Sequence, residues 1–144
     1  MKNNLTYSLK NLNALVCGST SGIGKSTALE LANNGANVTL FARDKDKIIN
    51  TISDLPQNKK QSHNYLIGDF DKPDEIRSII VSHIENGNKY HILINNSGGP
   101  LSGPILNADT NDFLIAFNRH LICNHILFQA LFSGMKELKY GRII

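Results

Sequence analysis

Residues 16–26, Val-Cys-Gly-Ser-Thr-Ser-Gly-Ile-Gly-Lys-Ser, constrain this chain more than any other stretch. An apolar run at 12–16 leads into three glycines spaced Gly-x-x-x-Gly-x-Gly, and residues 23–33 then carry a helical pattern. Strand, glycine loop and helix in that order build a phosphate site, because residues without Cβ let the backbone turn tightly and come close to an anion. A helix starting near Gly22 aims unpaired N–H groups and the positive end of its dipole at the same point. Ser19, Thr20 and Ser21 add hydroxyl donors. The bland alternative is a plain tight turn. A second competitor is the P-loop, Gly-x-x-x-x-Gly-Lys-Ser/Thr, which Gly24-Lys25-Ser26 would end; its first glycine falls at position 19, where the chain has Ser19.

Strand and helix patterns then alternate. Ala28, Leu29, Leu31 and Ala32 supply a helix face that Asn34-Gly35 stops, and residues 37–42 read as a buried strand around Val38, Leu40 and Phe41. Asp44 can cap a helix running to about Leu55; Pro56 and residues 57–62 form a loop; Tyr65-Leu66-Ile67 is a third strand. Lys72-Pro73-Asp74-Glu75 starts a helix with Ile76, Ile79, Ile80 and Ile84 on one side, ending near Asn86-Gly87. Residues 91–94 make a fourth strand whose consecutive apolar residues suit a strand covered on both faces. This order predicts an α/β fold, a doubly wound parallel sheet. A second glycine-rich loop, residues 95–104, leaves the carboxyl end of a central strand, where open α/β sheets bind ligands. One long helix is expected over 110–138, with Phe113, Phe117, Leu121 and Phe128 on one stripe and Ile122, Ile126 and Leu127 beside it. Residues 141–144 begin a further strand.

At 144 residues the chain is most simply one domain with a real core. Its two cysteines, Cys17 and Cys123, lack ligand or disulfide spacing and read as small buried hydrophobes, which suits a reducing, cytoplasmic setting. The net charge of +3 is spread thinly, so Lys45, Lys47, Lys59 and Lys60 read as a solvated face and no nucleic-acid partner is expected. No run approaches the length of a membrane span. His63, His83, His91 and His125 show no ligand spacing, so no metal site is expected.

Gly18-Ser19-Thr20-Ser21-Gly22-Ile23-Gly24, Asp69 after the third strand, Asn95-Asn96-Ser97-Gly98 after the fourth, and Met135 with Gly141-Arg142-Ile143 resemble the short-chain dehydrogenase/reductases over nearly the whole chain. Asn-Asn-Ser-Gly-Gly-Pro, in place of the commoner Asn-Asn-Ala-Gly, is similar to the 3-oxoacyl-[acyl-carrier-protein] reductase-like subgroup. The resemblance implies a Rossmann-type domain over residues 1–144, truncated after the start of the fifth strand. It implies that Gly18, Ser19, Thr20, Ser21, Gly22, Ile23 and Gly24 cradle a cofactor pyrophosphate. Asp69 would bond the adenine amino group with Phe70 behind it, and Asn95 and Asn96 would border the adenosine ribose while tying strands together. For Asp69 a helix cap or a solvated turn, and for the two asparagines plain turn chemistry, are the competing readings. Arg43, following Ala42 at the end of the second strand, can pair with the 2′-phosphate of NADP; Asp44 beside it keeps NAD open as a cofactor.

The family's tyrosine and lysine are spaced Tyr-x-x-x-Lys, and none of Tyr7, Tyr65, Tyr90 and Tyr140 has a lysine four residues on. By the resemblance, the missing serine, tyrosine and lysine follow the strand that starts at Gly141, so the chain is expected to be the amino-terminal part of a longer protein. His120 stands at the family's helix asparagine, which holds a water in the proton relay, and imidazole could carry protons there. A packed, hydrogen-bonded histidine is the alternative. Cys17 replaces the usual threonine, losing a hydroxyl that helps fix the loop. The leading expectation is an NADP(H)-dependent reductase of a small-molecule or acyl-carrier-bound ketone, such as a 3-oxoacyl thioester, forming a dimer or tetramer through the long helix. A non-catalytic nucleotide-binding module and a P-loop ATPase or kinase are the alternatives.

Overall fold

Successive residues of the first strand go to opposite sides of the sheet, and both sides are covered. β1 (Asn13–Cys17) sends Ala14 and Val16 into one core and Leu15 and Cys17 into the other, all four wholly buried. The protein is seen here as a computed structural model describing residues 8–57, 60–99 and 102–144. Residues 1–7 with Tyr7, Lys59 of the basic set, and Pro100 of the second glycine loop lie outside the described residues.

The chain continues through α1 (Gly22–Asn33), β2 (Asn37–Ala42), α2 (Lys45–Asp54), β3 (Asn64–Ile67), α3 (Pro73–Glu85) and β4 (Ile92–Ile94). A short 3-10 turn (Ile105–Asn107), α4 (Thr110–Phe117), a π-helical turn (Asn118–Ile122), α5 (Cys123–Glu137) and β5 (Arg142–Ile143) complete it. The five strands lie in the order β3-β2-β1-β4-β5 and all pair in parallel. Parallel strands need crossovers, and the helices that make them pack on both faces. Ala28 and Ala32 of α1 and Ile48 of α2 close one core; Ile76 and Ile80 of α3 with Cys123, Leu127 and Leu131 of α5 close the other. Each fully buried Leu or Ile removes enough apolar surface from water to contribute about 2 kcal/mol, while the alanines of α1 let its backbone lie close to the sheet.

The local signals act as their chemistry requires. The Asp44 carboxylate accepts from the Lys47 N–H at 3.1 Å and caps α2, and Gly35, at φ +101°, ends the turn after α1. Asp109 and Asp112 form a reciprocal capping box at the start of α4. At the amino edge of the sheet two histidines serve the backbone: Nδ1 of His91 accepts the Asn13 N–H at 3.0 Å, and Nδ1 of His63 accepts that of Val38 at 3.1 Å. Among the described residues no cluster of metal-ligating side chains forms, and no helix is long and apolar enough to cross a membrane.

One expectation is corrected. The helix predicted without interruption over 110–138 is broken by the π turn at 118–122, so that its two stripes part company. Ile126 and Leu127 are buried against the sheet, while Phe113, Phe117 and Leu121 are about half exposed, at 55%, 52% and 52%. A π turn adds a residue to one helical turn and shifts the faces on either side of it. Here it turns Arg119 and His120 toward the loops at the carboxyl end of the sheet.

Candidate functional site

Where β1, β2, β3 and β4 end, their loops surround a cavity of about 840 Å³. It lies beside the place where the sheet order reverses, with β1 flanked by β2 on one side and β4 on the other, the position at which open α/β sheets take their ligands. Gly18, Thr20, Ser21, Gly22, Ile23, Arg43, Asp69, Phe70 and Asn96 of the expected set line it.

The three glycines of the loop do different things. Gly18 has φ +57°, and a Cβ there would stand 2.5 Å from the Asn96 carbonyl oxygen. A Cβ on Gly24 would run into the Gly18 carbonyl and lie 2.7 Å from Asn96 Nδ2. Gly22 has φ +51° and open space around its missing Cβ, so it is required for its left-handed backbone alone. Gly18 and Gly24 therefore make room for each other and for Asn96 of the neighbouring loop. Asn96 fills that room by donating from Nδ2 to the carbonyls of Cys17 at 3.3 Å and Gly18 at 3.2 Å. The loop is held from the side, and its outer surface faces the cavity.

The amino end of α1 opens onto this cavity. Ser21 occupies the cap position without a side-chain hydrogen bond, and no acidic residue stands in the first turn. The N–H groups of that turn and the helix dipole meet no protein anion among the described residues, which suits a bound phosphate.

Arg43 leaves the end of β2 with its side chain 70% exposed and touches Asp71 Oδ2 at 3.9 Å. Asp69 bonds to the Asp71 N–H through Oδ1 at 3.1 Å, making a local turn; it does not cap α3. Phe70 is buried edge-to-face on Phe41 with ring centres 5.3 Å apart, so it supports the cavity floor from within the core.

Three residues of the expected set do not line the cavity wall. Ser19 is wholly buried and its Oγ has no protein partner among the described residues. Gly24 packs against Gly18 and does not line the cavity. Asn95 also stands off the wall: its N–H donates to the Ile144 carbonyl at 2.6 Å, joining β4 to the end of the chain. Cys17 is a buried apolar residue as expected, its thiol pushed far up by burial and then by Cys123.

His120 is exposed and shares a hydrogen bond of 3.0 Å between Nδ1 and Ser97 Oγ, in the loop after β4. Asp71 and Arg119 carry no motif and are missed by sequence reading. Arg119 is paired with Asp71 through two of its nitrogens, and its Nη1 donates to the Gly99 carbonyl at 3.0 Å. The hydrogen bonds from Arg119 hold the Asp71 carboxyl below the usual carboxylate range against the opposing effect of partial burial; the charges of Arg119 and Arg43 act in the same direction as those bonds.

The model of the short chain dehydrogenase family matches residues 12–144. The chain belongs to that family. It is 29% identical over 138 residues to the (2S)-[(R)-hydroxy(phenyl)methyl]succinyl-CoA dehydrogenase subunit BbsD of Thauera aromatica, covering 94% of this chain and 54% of the relative. With the glucose 1-dehydrogenase of Gluconobacter oxydans it shares 31% identity over 127 residues, 85% of this chain and 48% of that one. Among solved structures, YwfH, an NADPH dependent reductase involved in bacilysin biosynthesis, superposes with a TM-score of 0.80 at 28% identity, covering 92% of this chain and 52% of its own. The chain thus spans about half the length of the relatives it matches. Those relatives are named for a succinyl-CoA and for a sugar, so membership of the family does not select a substrate.

Proposed function

We propose that the chain is the nucleotide-binding part of an NADP(H)-dependent oxidoreductase that reduces a carbonyl, a 3-oxoacyl thioester or a similar ketone. The observation that carries this reading is the pairing of an uncapped α1 amino end with the exposed guanidinium of Arg43 across one cavity. A dinucleotide with a 2′-phosphate presents anions at those two places. The donor set fits it: N–H groups of the first turn of α1, with Thr20 and Ser21, would hold the pyrophosphate, and Arg43 the 2′-phosphate. Asp69 and Asn96 would border the adenosine. When bound, the reduced nicotinamide supplies the hydride. NADPH named in the description of YwfH supports the choice of nucleotide.

His120 would hold a proton of the relay, with Ser97 fixing its ring through the shared hydrogen bond. The Asn-Asn-Ser-Gly-Gly-Pro motif and a relative named for an acyl-CoA support the thioester substrate. The half-exposed Phe113, Phe117 and Leu121 supply the apolar face for a dimer or tetramer. A non-catalytic nucleotide-binding module is the second reading, favoured by the lack of Tyr-x-x-x-Lys in residues 1–144.

Titration of the chain with NADPH and NADH, with and without Arg43→Ala, tests the assignment. The variant is expected to weaken NADPH at least tenfold and NADH less than about twofold, a charge-assisted phosphate contact being stronger than a neutral one. Equal losses would remove Arg43 from the 2′-phosphate. Failure of the unaltered chain to bind either nucleotide would remove the site.

A further inference from the structure

Resting on the reading of Arg43 above, a second arginine beside Asp71 bears on that residue. The Asp71 carboxylate has two arginines beside it, and they hold it very unequally. Arg119 takes both oxygens, Nε on Oδ1 and Nη2 on Oδ2 at 2.7 Å, while Nη1 reaches the carbonyls of Gly99 at 3.0 Å and Gly98 at 3.4 Å. Arg43 has only the 3.9 Å approach to Oδ2. The Arg119 side chain is 19% exposed against 70% for Arg43. A fork-shaped, partly buried pair is stronger than a single long contact in solvent.

We infer that Arg119 and Asp71 are positioning residues for nucleotide selectivity: Arg119 occupies the Asp71 carboxylate and so leaves Arg43 free for the 2′-phosphate. Asp71 and that phosphate are rival anions for one guanidinium. With both Asp71 oxygens engaged, the rival is weak and Arg43 can swing to the phosphate. Without Arg119, the carboxylate turns its full charge on Arg43. Arg119 also straps the loop at Gly98 and Gly99 to the segment after β3, a role that would affect any nucleotide equally, so the two effects separate in the ratio of affinities.

The chain is titrated with NADPH and NADH, following nucleotide fluorescence, as the unaltered protein, Arg119→Met, Asp71→Asn and the double variant. In Arg119→Met the preference for NADPH is expected to fall about fivefold, and in Asp71→Asn to rise about threefold, the scale of exposed ion pairs. The double variant is expected to recover at least the original preference, because the rival anion is gone. Should Arg119→Met fail to fold, the direction of change in Asp71→Asn decides. An unchanged preference in the single variants, or a loss that the double variant does not restore, overturns the inference while leaving the Arg43 reading intact. A preference that Arg43→Ala does not alter overturns that reading and this inference together.

Discussion

Gly24→Ala sets a gain in helix propensity against a steric collision, and the geometry decides the sign. Gly24 lies in the first turn of α1, where exchanging glycine for alanine is worth up to about 1 kcal/mol in an unobstructed helix. The new Cβ would be driven into the Gly18 carbonyl and stand 2.7 Å from Asn96 Nδ2. Neither neighbour can yield cheaply. Gly18 is held by its own N–H bond to the Phe41 carbonyl at 2.9 Å, and Asn96 by its bonds to the Cys17 and Gly18 carbonyls. Overpacking against a fixed backbone costs about 1–3 kcal/mol, and a collision closer than any ordinary Cβ contact belongs in the upper half, about 2–3 kcal/mol; less the helix gain of up to about 1 kcal/mol, a net loss of about 1–2 kcal/mol is expected. With a urea m-value of about 2 kcal/mol/M, the unfolding midpoint should drop by about 0.5–1 M. Gly22→Ala is the control: its positive φ costs about 1–2 kcal/mol, but its Cβ would meet nothing within 4 Å, so the loop keeps its shape. NADPH binding should therefore fall more in Gly24→Ala than in Gly22→Ala. A Gly24→Ala midpoint equal to or above that of the unaltered chain would refute the interlock of Gly18, Gly24 and Asn96.

Other expectations follow from the same geometry. Asn96→Ala removes both bonds that hold the glycine loop from the side and should cost about 1–2 kcal/mol in urea unfolding, with weaker binding of NADPH and NADH alike. Burial lowers the titration of His91 and of His83 below the ordinary histidine value, so the unfolded chain binds the extra protons first. Their contribution to stability is complete above about pH 6.5 and is lost as pH falls through the folded values. Thermal unfolding followed from pH 7.5 to 5 should show a falling Tm, and His91→Gln should flatten part of that slope; an identical slope would exclude His91 as a contributor.

Sequence alone determined the strand, glycine loop and helix, the alternation that buries both faces of a parallel sheet, and the end of that sheet at which the cavity lies. Those properties are local: a glycine spacing, a capping aspartate such as Asp44, or a run such as Ile92–Ile94 acts within a few residues of itself. Tertiary structure alone decided which side each polar group faces. Ser19 read as a donor and is buried, while Arg119 carried no motif and lines the cavity. The pairing of Arg119 with Asp71 spans 48 residues, and that of Asn96 with Gly18 spans 78. Such contacts depend on where packed helices and loops meet in space and on the extra residue in the π turn, and no nearest-neighbour pattern encodes them. The interlocked glycines show the division most plainly: their spacing is written in the chain, but Asn96, the residue that makes them necessary, comes from the far side of β4.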